Sequence, residues 1–266
     1  NYCHFDHPPD RGRVLIADMN FQPGNIIFRE KPLLSASWEE LSCFECGKPH
    51  PNESCRIFLG LFHNTPFIMG LSTLDDTLSS HEVIGDLDRA RLFIKLLWFR
   101  KLCPDAPCWN ELSLLTVSGT QTKACVDCIN DIRRKTIVTQ SKLITPNDKT
   151  EDLARLLAIL NNNSHEIPEF GSGLWLYASL LEHSCQPNCN FVTTQNELIL
   201  IALAHIPKGS SLTIDYNVHT YQPQAIRQQG TLSHYGFACT CAACTTGFDT
   251  PRAFFCPQSV RYHAHS

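Results

Sequence analysis

Cys239, Cys241 and Cys244 fall within six residues in the spacing Cys-x-Cys-x-x-Cys. Thiolates this close along a chain can wrap around one ion, and tetrahedral sulfur ligation is what zinc prefers. A tetrahedron needs a fourth ligand from farther away. Cys185 is the best candidate, because it sits in a polar turn, residues 183–188, where Pro187 restrains the backbone and a free thiol has no apolar face to bury; Cys189 is the alternative. Ordinary core thiols have no reason to recur at such short intervals. A structural zinc contributes on the order of 10 kcal/mol of apparent folding energy. Here it would tie the C-terminal tail to the core and pin Tyr235 and Phe237, which lie just before the triplet.

The composition around these ligands narrows the function classes. Fourteen cysteines in 266 residues are too dilute for a small disulfide scaffold, and their Cys-x-Cys and Cys-x-x-Cys spacings favour zinc and free thiols in a reducing compartment. The expected location is therefore intracellular, in cytoplasm and/or nucleus. The start, Asn1-Tyr2-Cys3-His4, does not read as a charged-then-apolar secretion leader. With 22 basic against 26 acidic residues the net charge is -4, and the one dense basic cluster is Arg133-Arg134-Lys135. A broad electrostatic footprint for nucleic acid is absent, and the thiolate triplet lacks a following basic helix, so direct nucleic-acid binding is not expected. No apolar run approaches the roughly 20 residues that span a bilayer. A hydrophobic content of 43% suits one large domain or two small ones, and a monomer is expected.

The elements that must position the ligands are legible in part. Val14 to Ala17 and Ile26 to Arg29 read as strands joined by Gln22-Pro23-Gly24-Asn25, which predicts a hairpin. Residues 1–42 form a first strand-rich segment, and residues 43–70 lose periodicity and read as a loop-rich insert. Ala90, Phe93, Ile94 and Leu97 recur at helical spacing with Arg91, Lys95 and Arg100 elsewhere on the wheel. Cys125, Cys128, Ile129 and Ile132 repeat that spacing, so Cys125 and Cys128 read as packing rather than metal ligands. Leu153, Leu156, Leu157 and Leu160 do the same after the acidic start Glu151-Asp152. Residues 71–163 are thus predicted to be helical. From 164 to 216 strands return: Asn190 to Thr194 and Glu197 to Ala204 flank Gln195-Asn196, and Ser211 to Tyr216 follows Pro207-Lys208-Gly209. The chain reads as α+β, a β-rich core split by a helical insertion, with residues 217–266 as a zinc-bearing tail.

In order along the chain, five stretches resemble the SET-domain family, most closely its SET-and-MYND branch. Arg11-Gly12-Arg13 with Pro23-Gly24 resembles the opening hairpin, and Asn163 stands where a cofactor-contacting Asn follows a helix. Leu180 to Asn188, with Glu182-His183-Ser184-Cys185-Gln186-Pro187-Asn188, resembles the Asn-His-Ser-Cys-x-Pro-Asn signature. Leu212-Thr213-Ile214-Asp215-Tyr216 resembles the strand of the catalytic Tyr, and His234 to Cys239 the post-SET approach to zinc. The resemblance implies a knotted core in which the Cys185 turn and the Tyr216 strand thread one another, and methyl transfer from S-adenosylmethionine to the lysine of a protein substrate. It implies that Gly12, Arg13, Asn163, Glu182, His183 and Phe237 hold the cofactor, that Tyr216 and Tyr235 line the transfer site, and that Cys185, Cys239, Cys241 and Cys244 bind zinc.

Such a transfer needs in-line approach and a neutral amine, with no metal at the reacting atoms. An apolar aromatic channel lowers a lysine pKa without adding charge, and a Tyr hydroxyl adds a fixed dipole. Three departures from the family stand out. Glu182 replaces Asn, adding charge and losing an amide donor, and Val14 replaces the second Gly of a Gly-x-Gly opening. The MYND zinc module is reduced or missing, leaving Cys43, Cys46, Cys55, His50 and His63 for one partial site. These departures motivate the alternative of a catalytically silent SET scaffold that binds a protein partner.

Overall fold

Short aliphatic runs bounded by Pro, Gly and Asn set the strand pattern. The computed structural model describes residues 2–6, 14–39, 74, 76–84, 86–115, 117, 119–134, 143–216, 221–246, 253–255 and 262–264. In chain order the strands and helices begin with β1 (Cys3–Asp6), β2 (Val14–Ala17), β3 (Ile26–Glu30), β4 (Leu34–Ser37), α1 (Leu87–Leu102), α2 (Cys108–Ser113) and α3 (Gly119–Arg134). They continue with α4 (Thr150–Asn163), β5 (Ser164–Ile167), β6 (Gly171–Leu174), β7 (Glu182–His183), β8 (Cys189–Thr193), β9 (Leu198–Ala202) and β10 (Thr213–Ile214). The last are α5 (Gln224–Tyr235), α6 (Ala242–Thr245), β11 (Ala253–Phe255) and β12 (Tyr262–Ala264). The fold is a mixture of helix and strand. It divides into one unit of residues 1–30, 180–192 and 197–266 and another of residues 31–179 and 193–196.

The first unit assembles from the two ends of the chain. β1 pairs antiparallel with β2, whose surroundings also include the late segment: Ala17 N–H donates to Ser210 O at 2.9 Å and Leu212 N–H to Leu15 O at 2.8 Å. β3 pairs with β9, and β9 with β8, in one three-stranded sheet. The expected hairpin between β2 and β3 does not form, although its turn does. Asn25 N–H donates to Gln22 O at 3.0 Å, and Gly24 takes φ 85°, which glycine adopts without strain. Each strand finds a partner from elsewhere in the sequence, so the turn re-aims the chain rather than closing a ladder. β10 is likewise shorter than the strand read from Ser211 to Tyr216, and it pairs parallel with β7.

The second unit is built on the antiparallel order β4-β6-β5. β6 escapes strand propensity because it begins Gly-Ser-Gly, and the reason is space. A Cβ at Gly171 would lie 2.0 Å from Ala36 O, and one at Gly173 2.5 Å from the Trp175 ring. α1 stops at Cys103-Pro104, where proline disfavours helix in the residue before it. Arg91 and Lys95, which lie off the apolar stripe of α1, are buried as well. Lys95 Nζ donates to Ser35 O at 2.6 Å and Arg91 Nη1 to Trp38 O at 2.6 Å, so both cations satisfy carbonyls at and beside β4. Cys125, Cys128, Ile129 and Ile132 are fully buried on α3, and burial pushes the Cys125 thiol up to about 12, as expected of a packing cysteine. Among the described residues no helix is long and apolar enough to cross a membrane.

Candidate active site and metal centre

In the first unit the Cys185 turn is fastened to the segment that ends at Tyr216. β7 and β10 set Glu182 beside Thr213 and His183 beside Ile214, and Ser184 N–H donates to Ile214 O at 2.9 Å. Asn188 completes the clamp: its Nδ2 donates to Ser211 O at 2.8 Å, and its Oδ1 accepts from Thr213 N–H at 2.8 Å. An amide suits this place because it offers a donor and an acceptor at once.

Tyr216 is held at both ends. Its phenol donates to Leu181 O at 2.6 Å, and its backbone N–H donates to His183 Nδ1 at 3.1 Å. Because that N–H can only donate, Nδ1 is an acceptor and the neutral imidazole carries its proton on Nε2. Nε2 lies 3.3 Å from Cys185 Sγ, so one side chain joins the thiolate turn to the Tyr216 backbone. Around the phenol, the Tyr216 ring stands 4.8 Å from Tyr235, 5.2 Å from His183 and 6.5 Å from Phe237, the last edge-on. Burial first, then the neighbouring Tyr235 and Glu182, raise the Tyr216 pKa, so its hydroxyl stays protonated across the physiological range. A phenol in that state offers a dipole rather than a base.

The four sulfurs of Cys185, Cys239, Cys241 and Cys244 lie within 4.8 Å of one another. Cys185 Sγ is 3.9 Å from Cys239 Sγ and 3.7 Å from Cys244 Sγ. Sulfurs about 2.3 Å from a central zinc stand about 3.8 Å apart in a tetrahedron, so this donor set fits zinc. A hydrogen bond from Cys239 lowers the Cys185 thiol against the opposing effect of burial, with His183 and Arg227 assisting. Burial and the charge on Cys185 raise the Cys244 thiol. Protons held between the sulfurs are those a metal displaces. Cys189, the alternative ligand, is buried on β8, bonds to Asn188 Oδ1 at 3.2 Å, and has its thiol raised to about 12 by burial.

The structure thus brings Tyr216, Tyr235, Phe237 and His183 together, with Glu182 near enough to influence the phenol. Asn163 belongs to the other unit, where it is buried and its Nδ2 donates to Ile159 O at 2.8 Å. Gly12 and Arg13, the partial-site residues Cys43, Cys46, Cys55, His50 and His63, and Cys256 lie outside the described residues. Val14 is fully buried, so its side chain packs in the interior rather than lining an open surface. Three residues escaped the sequence reading: Gln224, Arg227 and Gln228 of α5 all reach the cysteine cluster. Their i, i+3, i+4 spacing was the available signal.

The family described as SET domain matches residues 12–217, and the chain belongs to it. The "Histone-lysine N-methyltransferase ASHR1" of Arabidopsis thaliana is 23% identical over 89% of this chain and 54% of its own length. The "Histone-lysine N-methyltransferase SMYD3" of Homo sapiens is 38% identical over 81 residues, which is 30% of this chain and 19% of the relative. The chain therefore spans about half the length of the first of these curated relatives and less of the second. A solved SET domain of LSMT bound to MeLysine and AdoHcy is 13% identical with a TM-score of 0.48, covering 96% of this chain and 54% of that one.

Proposed function

We propose that this chain transfers a methyl group from S-adenosylmethionine to the side-chain amine of a protein lysine. The observation that carries the reading is the doubly held Tyr216, whose protonated hydroxyl is fixed on Leu181 O inside a cluster of Tyr235, Phe237 and His183. Names of relatives that denote lysine methyltransferases support it. When bound, S-adenosylmethionine supplies an electrophilic methyl on a sulfonium, whose sulfur keeps the bonding pair on transfer. Glu182, His183 and Phe237 are the described residues proposed to hold it, and the Glu182 carboxylate suits the positive charge of such a donor. The family motif assigns Gly12 and Arg13 the same role.

The lysine must arrive as an amine, because its nitrogen lone pair forms the new bond. Aromatic walls disfavour the ammonium by desolvation, and its proton leaves to water before transfer. Tyr216 and Tyr235 then orient the lone pair and stabilise the methyl hydrogens as positive charge passes them, an effect of preorganised dipoles. Removing one such group costs about 10²–10³ in kcat.

The test is incubation with a labelled methyl donor and a protein extract, native chain against Tyr216→Phe. Labelled lysine with native chain, reduced at least about 100-fold in the variant, is the expected result. A second reading, a silent scaffold for a protein partner, is favoured by Glu182 at the family's Asn position. It predicts no labelling and no thermal shift with cofactor. A true site at 100 times its dissociation constant gains about 2.7 kcal/mol of stability.

A further inference from the structure

We propose that the face of α5 carrying Gln224, Arg227 and Gln228 is the outer coordination shell of the four-thiolate centre, with Arg227 as its counter-charge. The proposal rests on reading the cluster as a zinc centre and goes beyond it. Four thiolates around a divalent ion leave a formal charge of about -2. Cys185, Cys239 and Cys244 are buried, and buried charge requires a partner.

Arg227 is 1% exposed, among the most buried large side chains of the chain. Its Nη2 lies 4.0 Å from Cys244 Sγ, and its Nη1 donates to Gln222 O at 2.5 Å, which fixes the guanidinium plane. The His183 Nε2 proton reaches Cys185 Sγ from another side. On the same helical face as Arg227, Gln224 Nε2 donates to Cys244 O at 2.6 Å and Gln228 Nε2 to Cys239 O at 3.2 Å. Two amides thus hold the backbones of the ligand segment while a guanidinium faces its sulfurs. A guanidinium suits this place better than an ammonium, because it is weakly hydrated and spreads several donors in one plane. Tyr235 is the last residue of the same helix, so the helix that would brace the metal centre also carries an aromatic of the candidate active site.

The test uses the full chain and its Arg227→Met, Arg227→Lys and Gln228→Leu variants. Zinc content is measured by elemental analysis, zinc affinity by competition with a chromophoric chelator, and sulfur bonding by the thiolate-to-metal charge-transfer band of the cobalt-loaded forms. Arg227→Met is expected to weaken zinc binding by roughly 10–100-fold. Its cobalt band should move to lower energy, since a sulfur without its donor holds its electrons less tightly. Arg227→Lys should recover part of the affinity, and Gln228→Leu should lose less than Arg227→Met. A merely structural role would lower Tm without moving the band. Native zinc binding with Arg227 variants within about twofold of native affinity and an unmoved band overturns the proposal alone. A native chain that takes up neither zinc nor cobalt overturns the zinc reading and the proposal together. Should Arg227→Met fail to fold, Arg227→Lys and Gln228→Leu decide it on the same readouts.

Discussion

At Gly171 a single methyl would sit 2.0 Å from the Ala36 carbonyl oxygen, far inside van der Waals contact. The obstructing atom belongs to the backbone of a paired strand, so it cannot swing aside as a flexible side chain would. Gly171→Ala is therefore expected to destabilise the chain by roughly 3 kcal/mol or more, read as a lower denaturant midpoint. Such a constraint is invisible in one sequence, since nothing local distinguishes this glycine from one in a loop. The clustered cysteines were the opposite case. Cys239, Cys241 and Cys244 announce themselves by spacing alone, and Cys185 by the polarity of its turn. Lys95 and Arg91 are a third case: the sequence sets them off the apolar stripe of the helix, and long stems let their tips reach the backbone of a nearby strand segment.

Among the elements, α5 was unreadable because its polarity is inverted. Ile226 and Leu232 are exposed, at 42% and 57%, while Arg227 and Thr231 are buried at 1% and 0%. A search for an apolar stripe finds the wrong face, because the buried one meets sulfur and carbonyl groups rather than a hydrocarbon core. Its C-terminus is better marked: Gly236 takes φ 78°, and its N–H donates to Leu232 O at 3.1 Å. Gly236→Ala forces a side chain into the left-handed region, at a cost of about 1 kcal/mol. Because Gly236 separates Tyr235 from Phe237, the variant should also lower the proposed methyl transfer, so a Tm scan paired with the transfer assay checks both expectations. The missing hairpin shows a different limit. The turn at Gln22 to Asn25 is local and was legible, whereas the pairing is not: β2 takes β1, just before it, and β3 takes β9, which follows it by more than half of the chain.

For the molecule as a whole, a half-buried histidine sets a pH dependence. Burial lowers the His165 pKa to about 4 from the usual 6.5, beside the Trp175 ring at 6.2 Å. Between those values the unfolded chain binds a proton that the folded chain does not. Stability contributed by neutral His165 is thus full above about pH 6.5 and declines as pH falls toward 4. Denaturant midpoints across that window should fall for the native chain and flatten for His165→Phe. The clasp at the cysteines has a different consequence. Cys185 and Cys239 are 54 positions apart, so an ion gripping both closes a long loop. By the relation used for a covalent bridge of that span, the constraint removes about 4 kcal/mol of freedom from the unfolded chain. Unlike a covalent bridge, it obeys mass action, and each tenfold change in free ion shifts the balance by about 1.4 kcal/mol. How firmly the tail is seated then depends on the ion buffering of its surroundings, so scarcity of zinc would be felt first at the aromatic wall it helps to seat.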